Sequence, residues 1–382
     1  MFDQAWIEEK LSEIRKQNAW RELRVRPEGT HNFSSNDYLG LSTHPEVVSR
    51  VKQAVEKFGV GAGASRLVSG TKSSHIEFEK ELEQYFSSAS LVYGSGYLAN
   101  LGLLATVVGR NDAVILDKLS HATLIDGTVL SRANLKRFRH NDVQHAADCI
   151  KTLRKEGHKG RIFLVTESVF SMDGDKAPLE ELSSVCQEHE VALVVDEAHA
   201  LGVFGSKGQG LVDKLSLSQK VPFITATFSK ALGSYGGVVV SSKPVKDLQI
   251  NTARSFIYDT ALPPMLIEAS RGALSLISSQ SIKGEDLLSL SKFFVECLSK
   301  NGIETTNTGT QIVPVLIGDN EKALRVSNRI LEKGVVAVAI RPPTVPEGTS
   351  RIRFSITLGH TEQVLEETGF ILAEVLKEEG LL

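Results

Sequence analysis

The stretch Ala192-Leu193-Val194-Val195-Asp196-Glu197-Ala198-His199 decides the fold class. Its first four residues are apolar without helical period or strict alternation. Such a run, closed by a carboxylate, reads as a short strand buried on both faces. Runs of the same kind stand at Ala113–Leu116, Ile162–Thr166, Phe223–Ala226 and Val238–Val240. Helical patterns, such as Glu46–Phe58, His75–Phe86 and Tyr97–Val108, share the same region. Strands between helices predict an α/β domain whose parallel sheet is covered on both faces. Asp196 then lies at a strand's carboxyl end, where α/β sheets bind ligands.

Outward from this core, the first residues carry a helical pattern (Trp6, Leu11, Ile14), followed by an extended stretch near Arg21 to Pro27. Residues 265 to about 300 read as mainly helical. Beyond them come a strand at Ile312–Ile317, a helix at Glu321–Leu331, strands at Val335–Ile340 and Arg351–Ile356, and a closing helix from Thr361. That order predicts a smaller α+β lobe. The expected organisation is an N-terminal segment over 1–44, a large domain over 45–284 and a small domain over 285–382.

The chain has 382 residues with net charge −3, 41% hydrophobic and 23% charged, which is ordinary for a globular protein. No basic tract suggests a nucleic-acid partner. The three cysteines, Cys149, Cys186 and Cys297, are too far apart in sequence for a disulfide framework or thiolate zinc site, and no metal is expected. The N-terminus is charged at once and no apolar run approaches ~18 residues. The expectation is a cytoplasmic enzyme without a membrane partner.

Val194 to His199 also looks like the second nucleotide motif of a helicase. That reading needs an upstream phosphate loop ending in Gly-Lys, and the chain contains no Gly-Lys dipeptide. The Gly59-x-Gly61-x-Gly63 cluster does not complete a dinucleotide fingerprint either.

The next strand, Phe223–Ala226, runs into Thr227-Phe228-Ser229-Lys230-Ala231-Leu232-Gly233. A Lys at such a strand end is either a Schiff-base lysine or a surface residue in a turn. Ser95-Gly96-Tyr97 opens a helix whose N-terminus is an ordinary helix start or a phosphate seat. His121 is a cap, a core residue or a ring partner. Taken together, Lys230, Asp196, His121 and Gly96–Tyr97 supply what pyridoxal phosphate needs: an imine lysine, a carboxylate for the ring nitrogen, a flat partner and a phosphate cradle.

With these residues the chain resembles the α-oxoamine synthases, a branch of the fold-type-I pyridoxal-phosphate enzymes. The resemblance runs over nearly the whole chain. It includes Ser34 to Gly40, Ser65-Arg66-Leu67, Glu167 to Asp175, Asp196 to His199 and Thr227 to Ala231. It implies an aspartate-aminotransferase-like fold and a homodimer with sites at the interface. Ala339 to Pro346, then Arg351-Ile352-Arg353, and Phe256 to Pro264 resemble the biotin-pathway branch. That branch joins L-alanine to a pimeloyl thioester, on coenzyme A or acyl carrier protein, with loss of carbon dioxide. A sibling branch uses glycine or serine with another acyl thioester. A third reading, a non-catalytic subunit that keeps the fold, is expected to lose the imine lysine, and Lys230 stands.

The resemblance implies roles residue by residue. Lys230 carries the imine and, as a neutral amine, removes the Cα proton. Asp196 pairs with the ring nitrogen, His121 stacks on the ring, and His199 and Ser168 lie near its hydroxyl. Gly96, Tyr97 and Thr227 hold the phosphate, joined by Thr260 from the other subunit. Arg353 takes the amino-acid carboxylate through its two-pronged guanidinium. Arg21 meets the distal carboxylate of the acyl chain. Ala226 stands where relatives often have Gly, which bears on substrate fit rather than cofactor binding.

Overall fold

A computed structural model describes residues 4–23, 25–306 and 309–382. The chain divides into two compact units. The larger holds residues 36–171 and 176–287; the smaller holds 1–35, 172–175 and 288–382.

The strands in chain order are β1 (His31–Asn32), β2 (Ala89–Tyr93), β3 (Ala113–Asp117), β4 (Asn134–Phe138), β5 (Ile162–Glu167), β6 (Ala192–Asp196), β7 (Phe223–Thr227), β8 (Gly237–Ser241), β9 (Ile312–Gly318), β10 (Val335–Val336), β11 (Val338–Ile340) and β12 (Ser350–Ser355). The larger unit is built on a seven-stranded sheet ordered β2-β8-β7-β6-β5-β3-β4. Strands β7, β6, β5, β3 and β4 pair parallel, with Glu167 of β5 opposite Asp196 of β6. Every residue of β3 and β5 is buried, as unbroken apolar strands between helical layers must be.

One expected strand runs the other way. β8 pairs antiparallel with both β7 and β2. The reason lies in the connection: only residues 228–236 separate β7 from β8, too few for a parallel crossover. That short loop carries Lys230. Two strands without an expectation, β2 and β4, are the sheet's edges. β4 reads Asn-Leu-Lys-Arg-Phe and is mostly not buried, so its edge position replaces the apolar signal with charge.

Helix Gly96–Val107 packs against β2, β7 and β8. Leu103, Leu104 and Val107 join Leu116, Val165, Val194 and Val239 in one buried cluster. The helix is apolar nearly all round, as a buried helix is, yet it also buries Asn100.

In the smaller unit, β11-β12-β9 form an antiparallel sheet with β12 central. The expected single strand Val335–Ile340 is split: β10 pairs parallel with β1, and β11 pairs with β12. Helix Asn320–Glu332 packs against this sheet and against helix Glu362–Glu378. Phe33, Phe294 and Phe354, each fully buried, meet with centroids 5.3–5.7 Å apart. Among the described residues, no helix is long and apolar enough to cross a membrane.

Candidate active site

The site residues of the larger unit sit where its strands end. Asp196 is the last residue of β6, Thr227 the last of β7, and Ser168 follows β5 directly. Parallel strands place these ends on one edge of the sheet, and the chain turns there into irregular loops. The loop after β6 carries His199, and the loop after β7 carries Lys230. The two meet: Lys230 Nζ lies 2.8 Å from His199 Nε2.

The protons of this contact can be assigned by elimination. When Lys230 is an ammonium it only donates, so His199 Nε2 then accepts and the neutral ring carries its hydrogen on Nδ1. Nδ1 is 2.7 Å from Tyr38 Oη, which therefore accepts; the Tyr38 hydroxyl in turn donates to Asn36 Oδ1 at 3.1 Å. Tyr38 is fully buried and His199 is 4% exposed. The lysine thus faces a buried neutral imidazole able to share its proton.

Asp196 is buried and is met by two donors: the Ala198 N–H at 2.8 Å on Oδ1 and Asn100 Nδ2 at 2.7 Å on Oδ2. Its neighbour across the β5–β6 pair, Glu167, is also buried, and its Oε1 accepts the His121 N–H at 2.6 Å. Burial first, then the Asp196 charge, push Glu167 up to about 8. At neutral pH Glu167 is therefore the neutral form of a buried acid.

Glu197 anchors the loop that carries His199. It accepts the Leu211 N–H at 3.0 Å, the Val212 N–H at 2.6 Å and the Ser168 hydroxyl at 2.8 Å. Burial pushes its carboxyl up to about 7. Gly210 closes the same loop at φ +118°, and a Cβ there would stand 2.8 Å from the Glu197 carboxyl carbon. Only glycine satisfies both demands.

Gly96 opens helix Gly96–Val107 behind the cap Ser95, whose side chain accepts the Leu98 N–H. The first-turn N–H groups of Gly96 and Tyr97 have no partner within the helix. A Cβ on Gly96 would come 2.9 Å from Thr227 Cβ, so the helix start lies directly against the end of β7. Thr227 Oγ1 donates to the Gly236 carbonyl at 2.9 Å and is 2.8 Å from Ser229 Oγ. Free N–H groups and hydroxyls at a helix start form an anion seat.

His121 caps helix Ala122–Ser131 and keeps an exposed face. Desolvation lowers its pKa; Asp196 opposes this and Lys230 adds to it. Tyr97 is half-exposed, with its hydroxyl on Asp126. Thr260 is exposed and forms a bridge with Ser65; no described contact brings it to this cluster.

Arg353 and Arg21 belong to the smaller unit. Arg353 is buried on β12 and donates to Ser355 Oγ at 2.6 Å. Its neighbour on the same strand face, Arg351, pairs with Asp173. Arg21 is exposed and donates to Thr344 Oγ1 at 3.1 Å. It lines a cavity of about 1420 Å³ shared with Trp20, Arg26, Ile340 and Arg341. Arg341 Nε is buried without a partner. Burial, then the charge of Arg21, lower its pKa from the usual guanidinium value. Several arginines lining one cavity suit an anionic ligand group.

Sequence reasoning left Asn100, Glu167, Glu197 and Tyr38 without roles. Asn100 alone carried a readable signal, as an amide within an apolar helix.

The aminotransferase class I and II family model matches residues 29–368. The 8-amino-7-oxononanoate synthase of Geobacter sulfurreducens is 40% identical over 387 residues, covering 98% of this chain and 98% of its own. That of Thioalkalivibrio sulfidiphilus is 41% identical over 332 residues, covering 86% of this chain and 84% of its own. Among solved structures, a serine palmitoyltransferase from S. paucimobilis with a bound PLP-myriocin aldimine superposes with TM-score 0.92 at 29% identity, covering both chains fully. An 8-amino-7-oxononanoate synthase from Francisella tularensis gives TM-score 0.79 at 26% identity, covering 93% of this chain and 100% of the other. The chain belongs to the aminotransferase class I and II family, in the branch whose members are named 8-amino-7-oxononanoate synthase.

Proposed function

We propose that this protein condenses L-alanine with a pimeloyl thioester, releasing carbon dioxide and the thiol carrier and yielding 8-amino-7-oxononanoate for biotin synthesis. The observation that carries the reading is the meeting of Lys230 with His199 beside Asp196, at strand ends, in a chain whose relatives bear that enzyme's name. The sibling activity, glycine C-acetyltransferase, is not favoured by those names.

The residues present fit pyridoxal phosphate. Gly96 leaves room at a helix start where a side chain would meet Thr227, and the buried carboxylate of Asp196 ends the strand before the loop in which His199 meets the Lys230 amine. Gly96, Tyr97 and Thr227 would hold the phosphate, with Thr260 reaching it from a second copy. Asp196 would pair with the ring nitrogen, His121 would face the ring, and Ser168 and His199 would flank its hydroxyl. When bound, the cofactor supplies an electron sink for the carbanions at the alanine Cα.

The chain's own groups do the rest. Lys230 must be neutral to take the Cα proton, and His199 Nε2 can receive the extra proton from Nζ. Tyr38 and Asn36 keep the imidazole oriented for that exchange. Asp196, oriented by Asn100 and the Ala198 N–H, would pair with the ring nitrogen and favour positive charge there. Arg353 binds the amino-acid carboxylate. Arg21, with Arg341 beside it, meets the distal carboxylate of the acyl chain in the cavity of the smaller unit.

The protein acts as a homodimer in this reading. Val68, Val129, Leu130 and Tyr258, all on the larger unit, are exposed, and an association surface would cover apolar side chains of this kind. A reducing cytoplasm fits its unpaired cysteines.

The test is product mass analysis. L-alanine or glycine is offered to the protein loaded with pyridoxal phosphate, with pimeloyl-CoA or acetyl-CoA. The expected result is the decarboxylated condensation product from alanine and pimeloyl-CoA alone, lost in Lys230→Ala. Product mainly from glycine and acetyl-CoA overturns the substrate assignment. Undiminished turnover by Lys230→Ala overturns the chemistry.

A further inference from the structure

Hydrogen bonds run from buried Asp196 to the ring of His121 through residues with no catalytic group of their own. Asn100 is 3% exposed and Thr123 is 3% exposed. Asn100 Nδ2 donates to Asp196 Oδ2 at 2.7 Å and to Thr123 Oγ1 at 2.9 Å. Its Oδ1 accepts the Thr225 hydroxyl at 2.6 Å. A carboxylate only accepts, so turning the amide over would set oxygen against oxygen at Asp196. The orientation of Asn100 is therefore determined, and both its hydrogens are used.

The consequence passes to Thr123. Its Oγ1 accepts from Asn100 and lies 2.9 Å from His121 Nδ1; with that nitrogen accepting from the Thr123 backbone N–H, the hydroxyl hydrogen is free to point at it too. The Thr123 backbone N–H points at the same nitrogen, at 3.2 Å. Two donors converge on Nδ1. A proton on Nδ1 would break both bonds and face two hydrogens.

We propose that Asn100 and Thr123 are positioning residues that couple Asp196 to His121, fixing the imidazole as the neutral tautomer with its hydrogen on Nε2. Nδ1 is turned to the protein, and Nε2 has no hydrogen-bond partner among the described residues. The Nε2–H edge is thus presented as a donor. The other groups that act on His121 are Asp196, Asp126 and Lys230, with Glu167 on its backbone N–H. Burial of the ring lowers its pKa, with Lys230 adding to this and Asp196 and Asp126 opposing it; the net direction is the one the two donors at Nδ1 require. Importance for catalysis rests on the cofactor reading above; the tautomer itself does not, because it is set by protein groups alone.

The experiment reads the tautomer directly. Full-length protein labelled with ¹⁵N-histidine is titrated by NMR without and with pyridoxal phosphate, and His121→Gln assigns the signal. The expected result is an Nε2-protonated ring that stays neutral below the ordinary histidine pKa of about 6.5. Thr123→Val keeps the shape and removes the hydroxyl; it should mix the tautomers and raise the His121 pKa. Thr123→Ser should restore both. Asn100→Ala should weaken pyridoxal phosphate binding roughly tenfold, as loss of a hydrogen bond to a charged group does. An Nδ1-protonated ring in the unaltered protein overturns the proposal even if every variant fails to fold. A tautomer and titration unchanged in Thr123→Val overturn it too. A correct tautomer in a protein that makes no 8-amino-7-oxononanoate refutes only the functional reading.

Discussion

Glu167→Gln isolates the energetics of the paired strand ends. Glu167 lies opposite Asp196 in the parallel β5–β6 pair, is 3% exposed, and has its carboxyl pushed up to about 8, chiefly by burial and then by Asp196. Unfolded, the same group titrates near ~4.3. An acid whose pKa rises on folding binds more protons folded than unfolded, so stability falls as pH climbs between the two values. Below ~4 the group is neutral in both states and contributes nothing to the difference. Above pH 8 the penalty is complete. At ~1.36 kcal/mol per tenfold change it reaches about 5 kcal/mol, and relaxation around the ionised group brings the expectation to about 2–5 kcal/mol. Glutamine keeps an oxygen for the His121 N–H and cannot ionise. Its advantage over the native side chain should grow by roughly 2–3 kcal/mol between pH 5.5 and pH 9. That corresponds to a few degrees of thermal midpoint. The assay is thermal unfolding of both proteins across that range, without cofactor. A midpoint difference that stays constant with pH, or shrinks toward pH 9, refutes the reasoning.

Two further outcomes test the packing. Phe294→Ala removes a fully buried ring from the Phe33–Phe354 cluster; it should destabilise the smaller unit by about 3–5 kcal/mol, read as early loss of hydrogen-exchange protection in residues 288–382. Gly96→Ala places a methyl group 2.9 Å from Thr227 Cβ. It should weaken pyridoxal phosphate binding about tenfold or more, measured by equilibrium dialysis, while far-UV circular dichroism stays unchanged. Native affinity in that variant would remove the helix start from the phosphate seat.

How much of the molecule was readable in advance followed from where each signal resides. The runs at 113–116, 162–166, 192–195 and 223–226 became buried parallel strands because burial on both faces leaves a mark in consecutive residues. The direction of β8 was misread because apolar content says nothing about polarity of pairing; the shortness of the loop over 228–236 held that information. β4 was missed because an edge strand with Lys136 and Arg137 has no apolar run to show. Val335–Ile340 was read as one strand because the break at Ala337 is made by two different partners, β1 and β12.

The site divides in the same way. The sequence by itself placed the candidate set on its elements: Lys230 and Asp196 at strand ends, Gly96 at a helix start, and His121 before a helix. Each of these is defined by neighbours within a few residues, and local patterning is sufficient to place it. The tertiary structure decided which charges those residues carry and which way they face. Asn100, Thr123, Thr225 and Asp196 become one network only when strand order and helix packing bring four distant segments together. Glu167 becomes a neutral acid only because the parallel register sets it against Asp196 out of water. Protonation and tautomer depend on distance and desolvation in three dimensions, and neither quantity is written in the order of residues along the chain.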